Sequence, residues 1–372
     1  MRAREAAGRG ARAPLARAVL LAASAAPALA LQAAEPEQLD AHASTGPLAV
    51  TRRALGVDFQ LCLTDVDHDA QLDLVEAVYA DLERVEELVW NWSRTSAVSR
   101  LNAARGKARV ALDPELADAL REARDFCRAC GGTFDPTVGT LLAAMGVYTG
   151  APRALAEAEV EGLRPGVGCG AFELGRDEGG AWIERRTADV VLDLSGLAKG
   201  WAVDRAVALL RARGVGNAFV AAGSSSVYGM GPGPTGEGWD FELPGPGGAP
   251  LVWWLRDEAV SSSGRLSQPL DLGAGRVSHV IDPRTGRPVA HAVEATYFRG
   301  PDACEADMAS TALLVMGPDE ARAWFAGRPE WARARRALLV EAPRRETGAA
   351  GAVRRAFVEL GGPAADVEPA ER

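Results

Sequence analysis

The sequence contains few of the side chains that most often carry acid–base or thiol catalysis, because only four of its 372 residues are histidines and five are cysteines. An odd number of cysteines at irregular spacing does not make a disulfide framework. The chain also lacks a long basic run, and its formal net charge is −9 at pH 7. This charge balance argues against nucleic acid as a partner, since such binding needs a basic surface.

The chain has no apolar run that is long enough to span a bilayer comfortably. The run "AVLLAASAAPALA" follows five arginines within residues 1–30 and ends in small residues at positions 28–30. This layout predicts a signal peptide over residues 1–30, and the alternative is an Ala-rich disordered tail. No cysteine lies near the cleavage point and no arginine pair precedes the run, so neither a lipid anchor nor the twin-arginine route is predicted.

The rest of the chain has an ordinary globular composition, sufficient for one large or two modest domains, and shows no repeat. We predict a polar linker over residues 31–46, a folded domain over 47–361 and a disordered tail over 362–372. Alternation predicts a strand in "PLAVTRRALGVDFQLCLTD", and helical periodicity predicts long helices in "DAQLDLVEAVYADLERVEELVWNW" and from Pro114 to Cys130. The pattern alone predicts a mixed α and β fold.

The stretch "DLSGLAKGWAVDRA" places two aspartates and one lysine around a glycine-containing turn. The apolar segment "ADVVLDL" before it predicts a strand, and the apolar spacing after it predicts a helix that ends at Gly214. Such a turn offers free backbone N–H groups at the positive end of a helix, which suits a ligand that carries phosphate. We therefore interpret the stretch as part of a nucleotide site.

The motif "CRAC" at residues 127–130 allows a redox pair or half of a zinc site. It lies within a helical pattern, and no second cysteine pair or nearby histidine completes four zinc ligands. Packing on a helix face is therefore the favoured interpretation of Cys127 and Cys130. Oxidation of the two to a disulfide in an exported protein stays open.

Three acidic motifs stand apart: "GGTFDPTVGTL", "SHVIDPRTGRPV" and "ADMASTALLVMG". Asp307 and Thr311 are four residues apart at a helix start, so their oxygens share a face and fit Mg²⁺. Taken alone, a helix cap at Asp307 with packing of Thr311 is the favoured interpretation. His279 lies two residues before Ile281 on a predicted strand, so both side chains should point the same way. Taken alone, a structural role is favoured for His279, and Asp135 before Pro136 fits an ordinary turn.

Together these motifs carry a family resemblance. "SAVSRLN", "GGTFDPTVG", "DLSGLAKGWAVD", "SSSG" with "SHVIDPRTGRPV", and "ADMASTA" occur in that order over roughly residues 48–342. In these motifs the chain closely resembles ApbE-type FAD:protein FMN transferases. The resemblance implies an α+β, T-fold-like architecture, with mixed, largely antiparallel sheets flanked by helices and FAD in a cleft. It also implies export to the periplasm or the outer face of a membrane, in agreement with the signal segment.

The activity that the resemblance implies is Mg²⁺-dependent. FAD is split at its pyrophosphate, and the FMN moiety passes to a Thr or Ser hydroxyl of an exported partner, such as a redox-complex subunit or a flavin reductase, with release of AMP. The motifs carry over three metal ligands, Gly196 through its carbonyl, Asp307 and Thr311, and make His279 the residue that deprotonates the acceptor hydroxyl. They carry over FAD contacts at seven positions, namely Trp92, Thr133, Phe134, Asp135, Asp193, Lys199 and Ile281.

This assignment is physically coherent, since phosphoryl transfer requires charge neutralisation and an aligned nucleophile. Three departures from the family pattern affect ligand contacts only. Leu55 replaces a methionine, Trp92 takes the place of a tyrosine, and "GSSS" replaces a Gly-Gly-Asp or Gly-Gly-Asn segment. None of them removes a metal ligand or His279.

Other functions fit the same motifs less well. An FAD pyrophosphatase would use water in place of the acceptor hydroxyl, and the sequence barely separates it from the transferase. A flavin-binding module without turnover would not need Asp307, Thr311 and His279. A serine hydrolase at "GSSS" would lack the Gly-x-Ser-x-Gly elbow.

Overall fold

The fold is built around antiparallel sheets, in a computed structural model that describes residues 48–64, 68–273, 275–345, 353–362 and 368–369. The predicted signal peptide and linker lie outside the described residues. In chain order the strands are β1 (Leu48–Ala54), β2 (Val57–Leu63), β3 (Val110–Ala111), β4 (Phe172–Asp177), β5 (Gly180–Arg185), β6 (Ala218–Ala222), β7 (Ser226–Met230), β8 (Trp239–Leu243), β9 (Leu251–Leu255), β10 (Glu258–Gly264), β11 (Leu270–Asp271), β12 (Arg276–Val277), β13 (Ile281–Asp282), β14 (Arg287–Pro288), β15 (Val293–Gly300), β16 (Arg336–Glu341), β17 (Arg344–Arg345), β18 (Val353–Arg354), β19 (Phe357–Gly361) and β20 (Glu368–Pro369). The helices are α1 (His68–Val89), α2 (Ala97–Ala103), α3 (Pro114–Ala129), α4 (Gly139–Ala144), α5 (Glu157–Leu163), α6 (Ala198–Ala212), α7 (Ala303–Ala326) and α8 (Pro329–Ala332).

The largest sheet has eight strands in the order β1-β2-β6-β7-β10-β15-β16-β19, and all of its neighbours are antiparallel. Alternate residues of its strands point to opposite faces. On β6, Val220 and Ala222 belong to the large core under the helices, whereas Phe219 and Ala221 join a second core. The three-stranded sheet β20-β9-β8 covers that second core with Phe241 and other apolar side chains.

Helices α1, α6 and α7 cover the first face of the sheet. The middle of α7 is apolar on nearly all sides, from Met308 to Met316, which explains why it lies fully inside the molecule. Gly317, with φ of +70°, and Pro318 interrupt α7 without ending it. None of the helices in the described part of the chain is long and apolar enough to cross a membrane.

Most helices lie where the periodicity predicts them, including α1, α3 and α6. The predicted strand "PLAVTRRALGVDFQLCLTD" is instead the hairpin β1–β2, which turns at Leu55 and Gly56, both with positive φ. Leucine rarely adopts a positive φ, so the presence of Leu55 did not predict a turn at this position. The predicted tail, residues 362–372, includes Glu368–Pro369, which pairs with β9 as strand β20.

Two predicted strands near the motifs are wrong. Residues 188–194, "ADVVLDL", form no strand, because side chains rather than a neighbouring strand satisfy their backbone groups. His279 also lies outside a strand, since β13 contains only Ile281 and Asp282. The alternation argument that placed His279 and Ile281 on one face therefore fails.

Candidate active site

An extended segment, residues 190–194, leads into the turn before α6 and is held by two asparagines. The Leu192 carbonyl accepts hydrogen bonds from Nδ2 of Asn91 and Asn102, at 2.7 and 2.8 Å. In return, Leu192 N–H donates to Asn102 Oδ1 at 2.8 Å, and Leu194 N–H donates to Asn91 Oδ1 at 2.9 Å. Thr140 Oγ1 accepts from Val191 N–H at 3.0 Å. This network replaces a sheet ladder and fixes the backbone on both sides of Asp193.

Asp193 is buried, and its carboxylate is held by local donors. Ser195 N–H donates to Asp193 Oδ1 at 2.8 Å, and Tyr148 Oη donates to the other oxygen. Burial, and then the charge of Asp193, raise the pKa of Tyr148 above its usual value. The Tyr148 ring makes an edge contact with Trp92, at 5.7 Å between centroids. Trp92 is 54% exposed, so its indole face is open to a ligand.

Tyr148 is a site residue that the motifs did not identify. It lies in a 3₁₀ turn after α4, between two glycines with positive φ. Its pairing with Asp193 joins positions 45 residues apart, so no local pattern signals it.

The segment Thr133, Phe134 and Asp135 is buried, and each side chain has a distinct contact. Thr133 Oγ1 donates to the carbonyl of Cys130 at 2.9 Å. Phe134 packs edge-on against Phe126 and also lies against Gly196, where an added Cβ would come 3.0 Å from its ring. Asp135 Oδ1 accepts from the Thr137 backbone at 2.8 Å, and burial raises the pKa of Asp135.

The three predicted metal ligands meet where α6 and α7 begin. Asp307 and Thr311 lie one turn apart on α7, and Thr311 Oγ1 donates to the Asp307 carbonyl at 3.2 Å. A Cβ built on Gly196 would lie 3.7 Å from Thr311 Oγ1, so the loop before α6 approaches the same hydroxyl. A side chain at position 196 would crowd the Phe134 ring and lie beside the Thr311 hydroxyl.

The Asp307 carboxylate is buried between α6 and the large sheet. Gly200 N–H donates to Oδ2 at 3.1 Å, and Ser261 Oγ donates to Oδ1 at 3.2 Å. Lys199 Nζ lies 3.8 Å from Oδ2. Burial raises the pKa of Asp307, while the Lys199 charge and the Gly200 N–H act in the opposite direction. A buried carboxylate with spare lone pairs is suited to a cation.

Serine hydroxyls lie around the Asp307 carboxylate and the Thr311 hydroxyl. Ser226, from the "GSSS" segment, is 2.8 Å from Ser261, oxygen to oxygen. Ser263 Oγ lies 2.8 Å from Ser310 Oγ and 3.2 Å from Thr311 Oγ1. The "SSSG" and "GSSS" motifs therefore meet beside the predicted metal ligands, which their separation in the sequence does not reveal.

The donor set fits Mg²⁺ better than a softer metal. No cluster of three or more His, Cys, Asp or Glu side chains suited to a metal occurs among the described residues. The oxygens of Asp307, Thr311 and Gly196 match an ion that prefers oxygen ligands and commonly completes its shell with water and substrate phosphate. Lys199 places a positive charge beside this donor set.

His279 and Ile281 have different surroundings. The Nδ1 atom of His279 is buried without a hydrogen-bond partner in the described structure. Burial, and then the Lys199 charge, lower the pKa of His279 to about 4, so the ring is neutral at pH 7. Ile281 is buried in an apolar cluster with Leu141 and Val160.

A pocket of about 330 Å³ opens next to Asp135. It is lined by residues that include Gly131, Asp135, Val160, Arg164, Cys169 and Arg284. We call Gly196, Lys199, Asp307 and Thr311 the Asp307 cluster. Phe134 lies against Gly196, and the next residue, Asp135, lines the pocket. Two consecutive residues therefore connect the pocket with the Asp307 cluster.

A disulfide lies beside this pocket, since one of its cysteines, Cys169, is among the lining residues. Cys127 at the end of α3 pairs with Cys169, and Cys130 remains a free, buried thiol. The packing interpretation is therefore wrong for Cys127, and the Cys127–Cys130 disulfide that the sequence left open is not formed.

Comparison with known proteins gives the same family as the motifs. The ApbE family model matches residues 55–334. The FAD:protein FMN transferase of Escherichia coli (strain K12) is 24% identical over 297 residues, which cover 77% of this chain and 83% of that protein. The FAD:protein FMN transferase of Treponema pallidum (strain Nichols) is 30% identical over 269 residues, 64% of this chain and 72% of that protein.

Solved structures share the architecture. The apo flavinyl transferase ApbE of Pseudomonas stutzeri aligns with a TM-score of 0.72 at 23% identity, over 87% of this chain and 96% of that one. The ApbE protein of Thermotoga maritima aligns with a TM-score of 0.68 at 26% identity, over 81% of this chain and 97% of that one. The α+β class, with antiparallel sheets and flanking helices, is thereby confirmed. Since the family model matches well over half of its residues, the chain belongs to the ApbE family.

Proposed function

We propose that this protein is a Mg²⁺-dependent FAD:protein FMN transferase that joins FMN to a Thr or Ser hydroxyl through a phosphoester bond and releases AMP. One observation carries the proposal. The buried Asp307 carboxylate, the half-buried Thr311 hydroxyl and the loop at Gly196 come together where α6 faces α7, with Lys199 Nζ 3.8 Å from the carboxylate. The relatives named above are FAD:protein FMN transferases.

The bond changes balance without a further reactant. The acceptor oxygen forms a bond to the phosphorus of the FMN half of FAD, and the pyrophosphate bond to the AMP phosphate breaks. The hydroxyl proton passes to His279, and AMP leaves with the bridging oxygen. Gly196, Asp307 and Thr311 would hold Mg²⁺, which supplies charge neutralisation on the pyrophosphate.

His279 is suited to accept a proton because it is neutral at pH 7. Its low pKa in the substrate-free protein has two causes, burial and the neighbouring Lys199 charge. A bound pyrophosphate would offset the Lys199 charge and so raise the basicity of His279 when substrate is present.

FAD extends, in this proposal, from the Asp307 cluster along Phe134 and Asp135. The pocket beside Asp135 lies on that path and offers both apolar and charged walls. Trp92 presents an exposed ring near Asp193, suited to stacking on an aromatic part of FAD.

We further propose that the enzyme acts outside the cytoplasm, in the periplasm or at the outer face of a membrane, on an exported acceptor. Two observations support this location. Residues 1–30 have the layout of a signal peptide, and the Cys127–Cys169 disulfide is typical of an oxidising compartment.

The test is to incubate the chain from Leu31 onward with FAD, Mg²⁺ and an exported acceptor domain that presents a Thr or Ser hydroxyl. The proposal expects AMP release together with an acceptor mass increased by one FMN moiety. AMP with free FMN and an unlabelled acceptor would indicate a pyrophosphatase, and bound FAD without AMP would indicate a flavin-binding module. Either result overturns the transferase.

A further inference from the structure

The starts of α6 and α7 approach more closely than ordinary helices. A Cβ added to Gly200 on α6 would lie 2.1 Å from the Ala303 carbonyl oxygen and 2.8 Å from Cys304 Cα. Only glycine therefore fits at position 200 without moving one helix. The metal ligands on α7 and the lysine on α6 both depend on this approach.

Two sets of hydrogen bonds tie these helix starts together, one in each direction. From α7, Asp307 Oδ2 accepts the Gly200 N–H of α6 at 3.1 Å. From α6, Asp204 accepts from the first two N–H groups of α7: Ala303 N–H donates to Oδ1 at 2.8 Å and Cys304 N–H donates to Oδ2 at 2.7 Å. We call these bonds the α6–α7 clamp.

Asp204 lies in the "DLSGLAKGWAVD" motif, yet none of the roles assigned above uses it. Asp302 precedes α7 but provides no side-chain cap, so Asp204 replaces the usual local cap with one from another helix. A carboxylate that accepts from two helix-start N–H groups also interacts favourably with the positive end of that helix. The clamp thus fixes both the distance and the rotation of α7 relative to α6.

We propose that Asp204 is a positioning residue for the metal site, because it holds the start of α7 so that Asp307 and Thr311 face Gly196 and Lys199. This inference rests on the proposed function. Among the described residues, Asp204 forms no hydrogen bond or ion pair with Gly196, Thr311 or Lys199, and it acts through the backbone of α7. Its removal should therefore weaken Mg²⁺ binding more than it weakens the fold.

The test compares Asp204→Asn with Asp81→Asn. Both substitutions remove one carboxylate from the surroundings of α6. Asp81 pairs with Arg205 through two contacts and lies on α1, away from the start of α7. Asp81→Asn is thus a matched control, because it should lower stability and leave the α6–α7 clamp intact.

Two readouts are needed, one of which does not require activity. Hydrogen–deuterium exchange in the absence of FAD should show lost protection at Ala303 and Cys304 and also at Gly200, in Asp204→Asn only. Titration of Mg²⁺ into protein with FAD, followed by flavin fluorescence, should show half-saturation at about tenfold higher Mg²⁺ in Asp204→Asn and an unchanged value in Asp81→Asn.

The inference is overturned if Asp204→Asn and Asp81→Asn share the same Mg²⁺ half-saturation, or if Gly200 keeps its protection in Asp204→Asn. If wild-type protein shows no Mg²⁺ dependence, the proposed function fails, and the exchange at Gly200 still decides whether the clamp exists. Should Asp204→Asn not fold, Asp204→Glu keeps the charge but displaces its oxygens. It should again raise the Mg²⁺ requirement, and a wild-type value would contradict the inference.

Discussion

At the scale of single residues, the site depends on buried polar groups whose partners determine their charge. His279 is the clearest case, since its Nδ1 has no hydrogen-bond partner within the described part of the chain and burial lowers its pKa to about 4. Such a histidine is unprotonated throughout the neutral range, but it is a weak base until a bound pyrophosphate offsets the Lys199 charge and raises its pKa.

We predict that the His279 ring in the substrate-free protein titrates with a midpoint near pH 4, because burial and Lys199 disfavour the charged form. NMR of the imidazole protons measures this directly. The same shift should destabilise the fold as pH falls from about 6.5 towards 4, because the unfolded chain binds the proton first.

The signal is assigned by its absence in His279→Gln. In Lys199→Met the midpoint should rise, although it should stay below that of an exposed histidine, since burial is the larger cause. A wild-type midpoint at 6.5 or above would contradict the inferred effects of burial and of the Lys199 charge on His279.

Tyr148 allows a second prediction at this scale. Tyr148→Phe removes the donor to Asp193 and leaves a buried carboxylate oxygen without that partner. A hydrogen bond to a charged group contributes about 1.5–3 kcal/mol to stability. Because Asp193 is a proposed FAD contact that loses its support, FAD should also bind more weakly, by about tenfold. Fluorescence titration with FAD measures the change.

Tyr79→Phe is the matched control for Tyr148→Phe. Tyr79 lies on α1, away from the motifs, and its Oη donates to the buried carbonyl of Phe59 at 2.7 Å. The control should lose stability but keep FAD affinity. Equal FAD affinities in the two variants would contradict a site role for Tyr148.

At the scale of elements, the segment 190–194 illustrates how side chains take the place of a sheet. We predict that Asn102→Ala lowers the free energy of unfolding by about 1–3 kcal/mol, because it leaves Leu192 N–H buried without its acceptor. It should also weaken FAD binding, since Asp193 follows directly. Denaturant unfolding and FAD titration measure the two effects.

Arg105→Ala is the control, because Arg105 lies just after α2 and forms an exposed ion pair with Asp189. Its loss should change stability by less than about 1 kcal/mol. If Asn102→Ala behaves like Arg105→Ala, the segment is held by something other than its asparagines.

The same segment shows which structural features could be predicted from the sequence and which could not. Helix α6 follows from local spacing and ends before Gly214, as predicted. The strand before it could not be excluded locally, because "VVLDL" has a strand composition and its partners, Asn91 and Asn102, are about 100 residues away. His279 was misplaced for a related reason, since a two-residue strand leaves no alternation to read.

At the scale of the whole molecule, distant segments meet at the site. Ser226 and Ser261 come from strands β7 and β10, and Asp307 comes from α7. The four-residue spacing indicated that Asp307 and Thr311 share a helix face, but the serines around them depend on strand pairing. The Cys127–Cys169 bond likewise joins α3 to the loop before β4, which cysteine spacing did not predict.

The disulfide gives a prediction at this scale. It closes a loop with a sequence separation of 42 residues, so its loss in Cys127→Ser with Cys169→Ser should cost about 2–4 kcal/mol of stability. Thermal unfolding with and without reductant measures this. Cys62→Ser, which removes a free thiol on β2, is the control and should not change the response to reductant.

A wild-type protein whose thermal unfolding is insensitive to reductant would contradict a stabilising disulfide. The same experiment bears on location, because a protein that depends on this bond requires an oxidising compartment to reach full stability.

The proposed reaction is transfer of FMN at the Asp307 cluster with Mg²⁺. The most direct measurement is acceptor mass after incubation with FAD and Mg²⁺, for wild type, Asp307→Asn and Asp319→Asn. Asp319 is an exposed aspartate on the same helix. We predict FMN labelling in wild type and Asp319→Asn, and at least about 100-fold slower labelling in Asp307→Asn. Labelling at the wild-type rate in Asp307→Asn, or without Mg²⁺, would contradict it.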